Sequence, residues 1–374
     1  MSGASGKGFR RVGHIDVAGG GQVSVQDGYA FIGHIDPPHG TTIVDISDPR
    51  NMRVVSELQV PMHTHSHKAR VFGDTMIINY EQYGPHDPAF QGGIKIFDIA
   101  DKRRPREVAF FRCDGGGVHR FDYDGQYAYI SPQVEGWLGN IVMIVDVREP
   151  SRPAEVSRWW MPGQWTAGGE TPTWEGARHR CHHPLRYGDR LYTSYWHGGF
   201  VILDIADITQ PRLVSHVDWS PPYPCPTHTA LPIPHALQGR RFLVVTDEEV
   251  KDRLAPTPSA FLWMVDVSDE RHPVPVSTFR VPHDKPFDPV CSFGAHQPQE
   301  QVDGNLLFVT WFAGGLRAVD IGDPYAPREV GHFQPQPGRG QSIVQSNDVF
   351  LDRKTGLIYL MDRLCGLDVL EFTP

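Results

Sequence analysis

Short apolar runs ending in an acidic residue recur along the chain. They read Thr41-Thr42-Ile43-Val44-Asp45-Ile46, Ile94-Lys95-Ile96-Phe97-Asp98-Ile99 and Val142-Met143-Ile144-Val145-Asp146-Val147. They continue with Phe200-Val201-Ile202-Leu203-Asp204-Ile205, Leu262-Trp263-Met264-Val265-Asp266-Val267 and Leu316-Arg317-Ala318-Val319-Asp320-Ile321. A seventh, Leu367-Asp368-Val369-Leu370-Glu371-Phe372, carries Glu where the others carry Asp. The acidic residues stand 53, 48, 58, 62, 54 and 51 residues apart. Runs this short and rich in β-branched residues predict strands, and no segment sustains the 3.6-residue apolar period of a helix. A strand repeat of about 50 residues predicts propeller blades rather than a helical solenoid.

Each unit resolves into four strands. An inner strand precedes a turn such as Tyr123-Asp124-Gly125, and a second strand follows it, as in Tyr127-Ala128-Tyr129-Ile130-Ser131. The acid-terminated run is third, and a fourth follows proline, as in Pro105-Arg106-Glu107-Val108-Ala109-Phe110. Four strands per repeat predict blades, so the expected fold is all-β: a single domain over 1–374, built as a seven-bladed propeller. The last unit stops after its third strand. Near the N-terminus, Arg10-Arg11-Val12-Gly13-His14-Ile15 matches Arg328-Glu329-Val330-Gly331-His332-Phe333, the fourth strand of the sixth unit. Arg10 to Val17 is therefore expected to complete the last blade and remove its exposed edge.

These runs resemble the LVIVD-repeat propeller family, and Ser346-Asn347-Asp348-Val349 with Gly356 to Arg363 is similar to that family's final blade. A more distant similarity is to selenium-binding proteins, which share a histidine-bearing propeller. The resemblance covers essentially the whole chain. It implies the fold and leaves the reaction open.

The chain has 374 residues, 40% of them hydrophobic, with 38 Gly and 33 Pro, which is enough apolar material for a large core with frequent turns. No apolar stretch is long enough to span a membrane, and Met1 to Lys7 has no apolar signal core, so a cytoplasmic protein without membrane partners is expected. Five scattered cysteines with no CxxC pair fit reduced thiols. With a net charge of -9 and no basic stripe, nucleic acid is not an expected partner. The sequence leaves the oligomeric state open.

The 19 histidines change the picture, because several share one repeat position. His67, His119 and His182 stand six residues before the turn glycines Gly73, Gly125 and Gly188. His228 and His296 open the matching strands of the fifth and sixth units, Gln22 stands there in the first, and Ser346 or Asn347 in the seventh. Inner strands line a propeller's channel, so these five histidines are expected to converge at one end of it. Clustered neutral imidazoles suit Fe(II), Mn, Cu, Ni or Zn. His65 lies two residues from His67, on the same face of a strand, and is a second-rank ligand; His63 precedes it. His183 ranks second too, since strand alternation turns it away from His182. Cys181 is a weaker, soft candidate.

At the ends of second strands stand Glu81 and Glu248, candidates for a general base or for partners that orient the histidines. Trp196, beside His197, and Phe312, beside Trp311, take the same position in other units and are expected to wall a pocket. Long insertions at 162–181 and 283–295 are candidate lids. The glycine run at 115–117 precedes no helix and is not a phosphate loop. The expected function is a metal-dependent enzyme acting on a small organic substrate, an aromatic one included. An oxygenase or other oxidoreductase with Fe(II) comes first, by analogy with the histidine-ringed carotenoid-cleaving propellers. The alternatives are a redox-neutral lyase or hydrolase using Zn or Mn, and a non-catalytic scaffold or metal-binding protein.

Overall fold

The structure is a computed structural model and describes residues 5–85, 87–220, 222–250, 255, 258–283 and 292–373. The seven apolar runs form the strands His39–Asp45, Gly92–Asp98, Val142–Asp146, Phe200–Asp204, Leu262–Asp266, Leu316–Asp320 and Gly366–Phe372. Ile43, Ile96, Ile144, Ile202, Met264 and Ala318 on these strands are fully buried. The terminal aspartates have a local task. Asp98, Asp146, Asp204, Asp266 and Asp320 each accept the backbone N–H two residues on, at 2.8–3.0 Å, and so start the turn to the fourth strand.

The chain is an all-β propeller fold. Among the described residues its one departure from strand and loop is a 3-10 turn at Thr166–Gly168, and no helix there is long and apolar enough to cross a membrane. The N-terminal strand Phe9–Ile15 pairs antiparallel with Gly366–Phe372 and completes a four-stranded sheet with Ile358–Asp362 and Ser346–Leu351. His14 Nδ1 lies 2.9 Å from an Asp368 carboxylate oxygen across this seam.

The expectation of seven separate four-stranded blades is corrected. Five four-stranded sheets stand separately, and a sixth sheet has nine strands. The nine-stranded sheet arises where Gly117 pairs with Glu81, joining Gly117–Tyr123 to Thr75–Gln82. Gly117 has φ +82, and a Cβ there would sit 2.1 Å from the Tyr80 carbonyl oxygen, so only glycine permits this approach. The sixth unit also differs. Its inner segment makes isolated bridges, Pro298 to Val309 and Asp303 to Leu306, and Ser5–Lys7 adds a strand outside Arg328–Gln334.

Contacts divide the chain into two compact units. One comprises Met1–Val23, Ile46–Arg53 and Trp219–Pro374, the other Ser24–Asp45 and Val54–Asp218. Within each, apolar strand faces pack sheet against sheet. In the second unit, Tyr129, Val142 and Ile144 meet Leu191, Tyr195, Val201 and Leu203. In the first, Phe308, Leu316 and Phe333 meet Val349, Leu360 and Leu370.

Candidate metal centre

The histidine position of the repeat coincides with a β-bulge. Pairing passes from Cys181 to His183, skipping His182, and from Thr227 to Thr229, skipping His228. Between Val118 and Phe121, the two residues His119 and Arg120 oppose one. A bulge inserts a residue and re-aims its side chain. At the bulges of His119 and His182 the lost ladder bond is replaced by a side chain of the neighbouring strand, and the residues after His67 and His296 are bonded in the same way. Lys68 N donates to Asn79 Oδ1 (2.9 Å), Arg120 N to Ser131 Oγ (2.9 Å), His183 N to Ser194 Oγ (3.1 Å) and Gln297 N to Thr310 Oγ1 (3.1 Å). Asn79, Ser131, Ser194 and Thr310 were not singled out from the sequence. Their shared place in the repeat was the available signal.

In the second unit these bulges gather His65, His67, Glu81 and His119, whose potential ligand atoms all lie within 4.8 Å of one another. The His65 and His67 rings stack at 4.2 Å, and His67 lies 4.9 Å from His119. His182 joins from the next sheet, with its Nε2 3.0 Å from His119 Nε2. His65 Nδ1 donates to the Ile35 carbonyl at 2.8 Å, and His119 Nδ1 donates to Glu81 Oε2 at 2.6 Å. A carbonyl and a carboxylate only accept, so each ring keeps its lone pair on Nε2. His67 is 2% exposed, and its Nε2 has no hydrogen-bond partner. A buried ring nitrogen left unsatisfied is costly, and a cation bound there removes that cost once the ring proton leaves Nε2, where the Asn79 Nδ2 donor 3.4 Å from Nδ1 holds it. The residues present therefore fit a divalent transition metal held by imidazole nitrogens.

Glu81 is thereby placed as the partner that orients His119. Burial works against its ionisation, but the adjacent His119, the hydrogen bond to it, His65 and Arg180 outweigh burial and hold the carboxyl down at about 2. His119 is pushed below the usual histidine range by burial, against the pull of Glu81, and is neutral at neutral pH. Such carboxylate–histidine couples tune metal affinity by about 10- to 100-fold. Glu81→Gln keeps an acceptor but loses the charge, so metal affinity falls by about that factor, and the metal-free protein melts somewhat lower at neutral pH because a carboxylate favoured by the fold is gone. Competition with a chelator of known affinity checks it.

Burial also keeps His67 far below 6.5 and, with His216 and His197 adding to the effect, His179 down at about 4. When unfolded, these groups titrate near 6.5. Below that pH the unfolded chain binds protons that the folded chain refuses, so acid favours unfolding. The expected result is a melting temperature that falls by several degrees from pH 7 towards pH 4, with the loss beginning near 6.5. A thermal-shift series across that range measures it, and a flat profile contradicts neutral buried histidines.

The first unit brings its own histidines together. The His228 and His296 rings are 4.1 Å apart, and Glu248 lies against both. Phe312, at φ +41, packs 4.5 Å from His296, while Trp311 is buried edge-on to Phe279. In the second unit, Trp196 stacks on His182 at 5.2 Å and carries the Arg180 guanidinium 3.9 Å from its ring. His197 is buried beside Trp196, 6.4 Å between rings, and is not among the grouped ligands. His183 Nε2 lies 2.7 Å from the buried Lys68 Nζ. Cys181 is a core residue whose thiol burial pushes far up. The 162–181 insertion is held together by Glu170, which accepts from Gly163 N and Trp165 N, and is tied to its neighbours by Trp160 Nε1, which donates to Glu170 at 3.2 Å, and by Trp165 stacked on Trp137. Most of the 283–295 insertion lies outside the described residues.

Comparison with known proteins fits this architecture. The LVIVD repeat model matches residues 20–59, 115–159, 187–218 and 301–334. The chain is thus a β-propeller that carries LVIVD repeats. No curated protein matches the sequence. Among solved structures, the Pseudomonas aeruginosa periplasmic gluconolactonase PpgL is similar over 92% of this chain and 99% of its own, with TM-score 0.62 and 12% identity. The Myceliophteria thermophila Cps50 (Swd1) β-propeller domain is similar over 98% of this chain and 100% of its own, with TM-score 0.59 and 13% identity. A Lactobacillus plantarum protein is similar over 91% of this chain and 87% of its own, with TM-score 0.62 and 12% identity. At such identities the likeness is one of fold.

Proposed function

We propose that the chain is a metal-dependent enzyme acting on a small organic substrate, with an oxidoreductase or oxygenase using Fe(II) as the first reading. The observation that carries it is the set of three imidazoles, His65 and His67 buried and His119 partly buried, with Glu81 spent on His119 Nδ1 rather than left as a ligand. A metal held by so few protein ligands supplies open positions for substrate and for a co-reactant such as dioxygen. The chain's own residues fix the imidazoles through the Ile35 carbonyl and Glu81. Trp196 and Arg180 beside His182 offer a flat face and a positive charge, which suit an aromatic or anionic substrate. His182 belongs to the same cluster as a further ligand or a hydrogen-bond partner of His119.

The nine-stranded sheet carries two of the repeat runs, and we read it as two blades bridged at Gly117, so that the blade count follows the seven repeats. The cysteines support a reducing, cytoplasmic setting: Cys113, Cys181, Cys225 and Cys365 are buried free thiols. Anaerobic reconstitution with Fe(II), followed by oxygen-uptake measurements against a panel of small aromatic and carboxylate compounds, tests the first reading. Substrate-dependent oxygen uptake supports it. Protein that retains only Zn and consumes no oxygen contradicts it and favours the hydrolase or lyase reading.

A further inference from the structure

His228, Glu248 and His296 form a second, compact donor set within the first unit. All three are buried, at 0%, 7% and 1% exposure. His228 Nε2 lies 4.0 Å from Glu248 Oε2, and His296 Nε2 lies 3.5 Å from Glu248 Oε1. Both rings have their other nitrogen engaged. His296 Nδ1 donates to the Asn347 carbonyl at 2.5 Å. His228 Nδ1 lies 2.8 Å from Thr229 Oγ1, whose hydroxyl donates onward to Gln297 Oε1, so the ring nitrogen is the donor. In the neutral rings, both Nε2 lone pairs therefore face carboxylate oxygens. Lone pairs set against one another at these distances repel. A cation between them turns the repulsion into coordination.

The surroundings hold the set in place. Arg363 lies 4.0 Å from Glu248 Oε1 and favours the ionised carboxylate. Its Nε donates to Asn347 Oδ1 at 2.6 Å, which fixes the residue whose carbonyl orients His296. Phe312 closes one side of the His296 ring. Two imidazoles and one carboxylate form a harder donor set than the all-imidazole group of the second unit, and it suits Fe(II), Mn(II), Co(II) or Zn(II).

We infer that His228, Glu248 and His296 bind a divalent cation of their own, distinct from the one assigned to His65, His67 and His119. The chain then carries two metals. The competing arrangement is a proton shared between Glu248 and His296, which satisfies the same atoms without a metal.

Full-length metal-free protein titrated with Co(II), desalted, and analysed for metal and for visible absorption distinguishes them. The expected result is two equivalents in the native protein and one in Glu248→Gln, His296→Ala or His67→Ala. Glu248→Gln is nearly isosteric and keeps the test valid where His296→Ala fails to fold; circular dichroism checks both. One equivalent that Glu248→Gln and His296→Ala leave in place overturns the second site and leaves the first intact. One equivalent that His67→Ala and Glu248→Gln each abolish also overturns it, by showing a single centre. One equivalent lost in Glu248→Gln but retained in His67→Ala supports this site and contradicts the one in the second unit.

Discussion

Deleting residues 1–17 is expected to yield aggregated or insoluble protein. The deletion removes Phe9–Ile15 from Gly366–Phe372 and exposes that strand's unpaired N–H and C=O groups. It also strips Ser5–Lys7 from Arg328–Gln334, so two sheets lose their outermost strand. Phe9 packs against Phe308, Phe333 and Phe372, with ring centroids 5.9, 6.3 and 4.8 Å away, and its loss opens an aromatic cluster. Truncating one buried aromatic alone costs about 3–5 kcal/mol, a large share of the about 5–15 kcal/mol that holds a typical domain together. Soluble truncated protein with an unchanged melting temperature would show the segment to be a tail. Size-exclusion chromatography and a thermal scan decide the matter.

His119→Ala is expected to remove most of the bound metal while leaving the fold intact. The residue sits at the middle of its group, with His67 4.9 Å away on one side, His182 4.8 Å away on the other, and Glu81 bound to its Nδ1. The substitution removes one donor and leaves the Glu81 carboxylate without its imidazole partner. Losing one of three protein ligands typically costs several kcal/mol of metal binding, which amounts to at least about a hundredfold in affinity. The apolar strands that build the sheet are untouched. His332→Ala is the control: its Nδ1 meets Glu329 on an outer strand, and metal content should not change. His182→Ala is expected to lower metal content, since its Nε2 faces that of His119. His183→Ala should leave metal in place but lower stability by about 1–3 kcal/mol, because it removes an acceptor from the buried Lys68 ammonium.

The third strands were legible because six of their seven apolar runs end in an aspartate, and five of these aspartates accept the backbone N–H that starts the next turn. The pairing of the N-terminal strand was legible for a related reason. Arg10 to Ile15 has the same outward and inward pattern as Arg328 to Phe333, which occupies the equivalent place in its own sheet. Ser5–Lys7 was not legible, since three small or polar residues carry no alternation and are held by backbone pairing alone. The joining of two sheets at Gly117 depends on the absence of a side chain, which leaves no apolar signal.

The histidine position was legible as a shared offset from the turn glycines. What sits at that offset was not. Alternation in a regular strand predicted that His183 turns away from His182; its Nε2 lies against Lys68 Nζ, and the bulge that re-aims a side chain falls at His182. A bulge is stabilised by hydrogen bonds from the neighbouring strand, here Ser131 and Ser194, and Asn79 and Thr310 bond the residues after His67 and His296 in the same way. Those residues look like ordinary polar positions until the register is known. The positions at the ends of the second strands fared better. Glu81, Trp196, Glu248 and Phe312 each touch a histidine, because the same place in each unit opens towards the inner strand.

The most direct test of a metal in this histidine cluster is elemental analysis of full-length protein purified without an affinity tag. The account predicts at least about one equivalent of a transition metal that survives desalting and disappears in His119→Ala. Less than about a tenth of an equivalent, with no uptake on reconstitution with Fe(II), Mn(II), Co(II), Cu(II) or Zn(II), would contradict it.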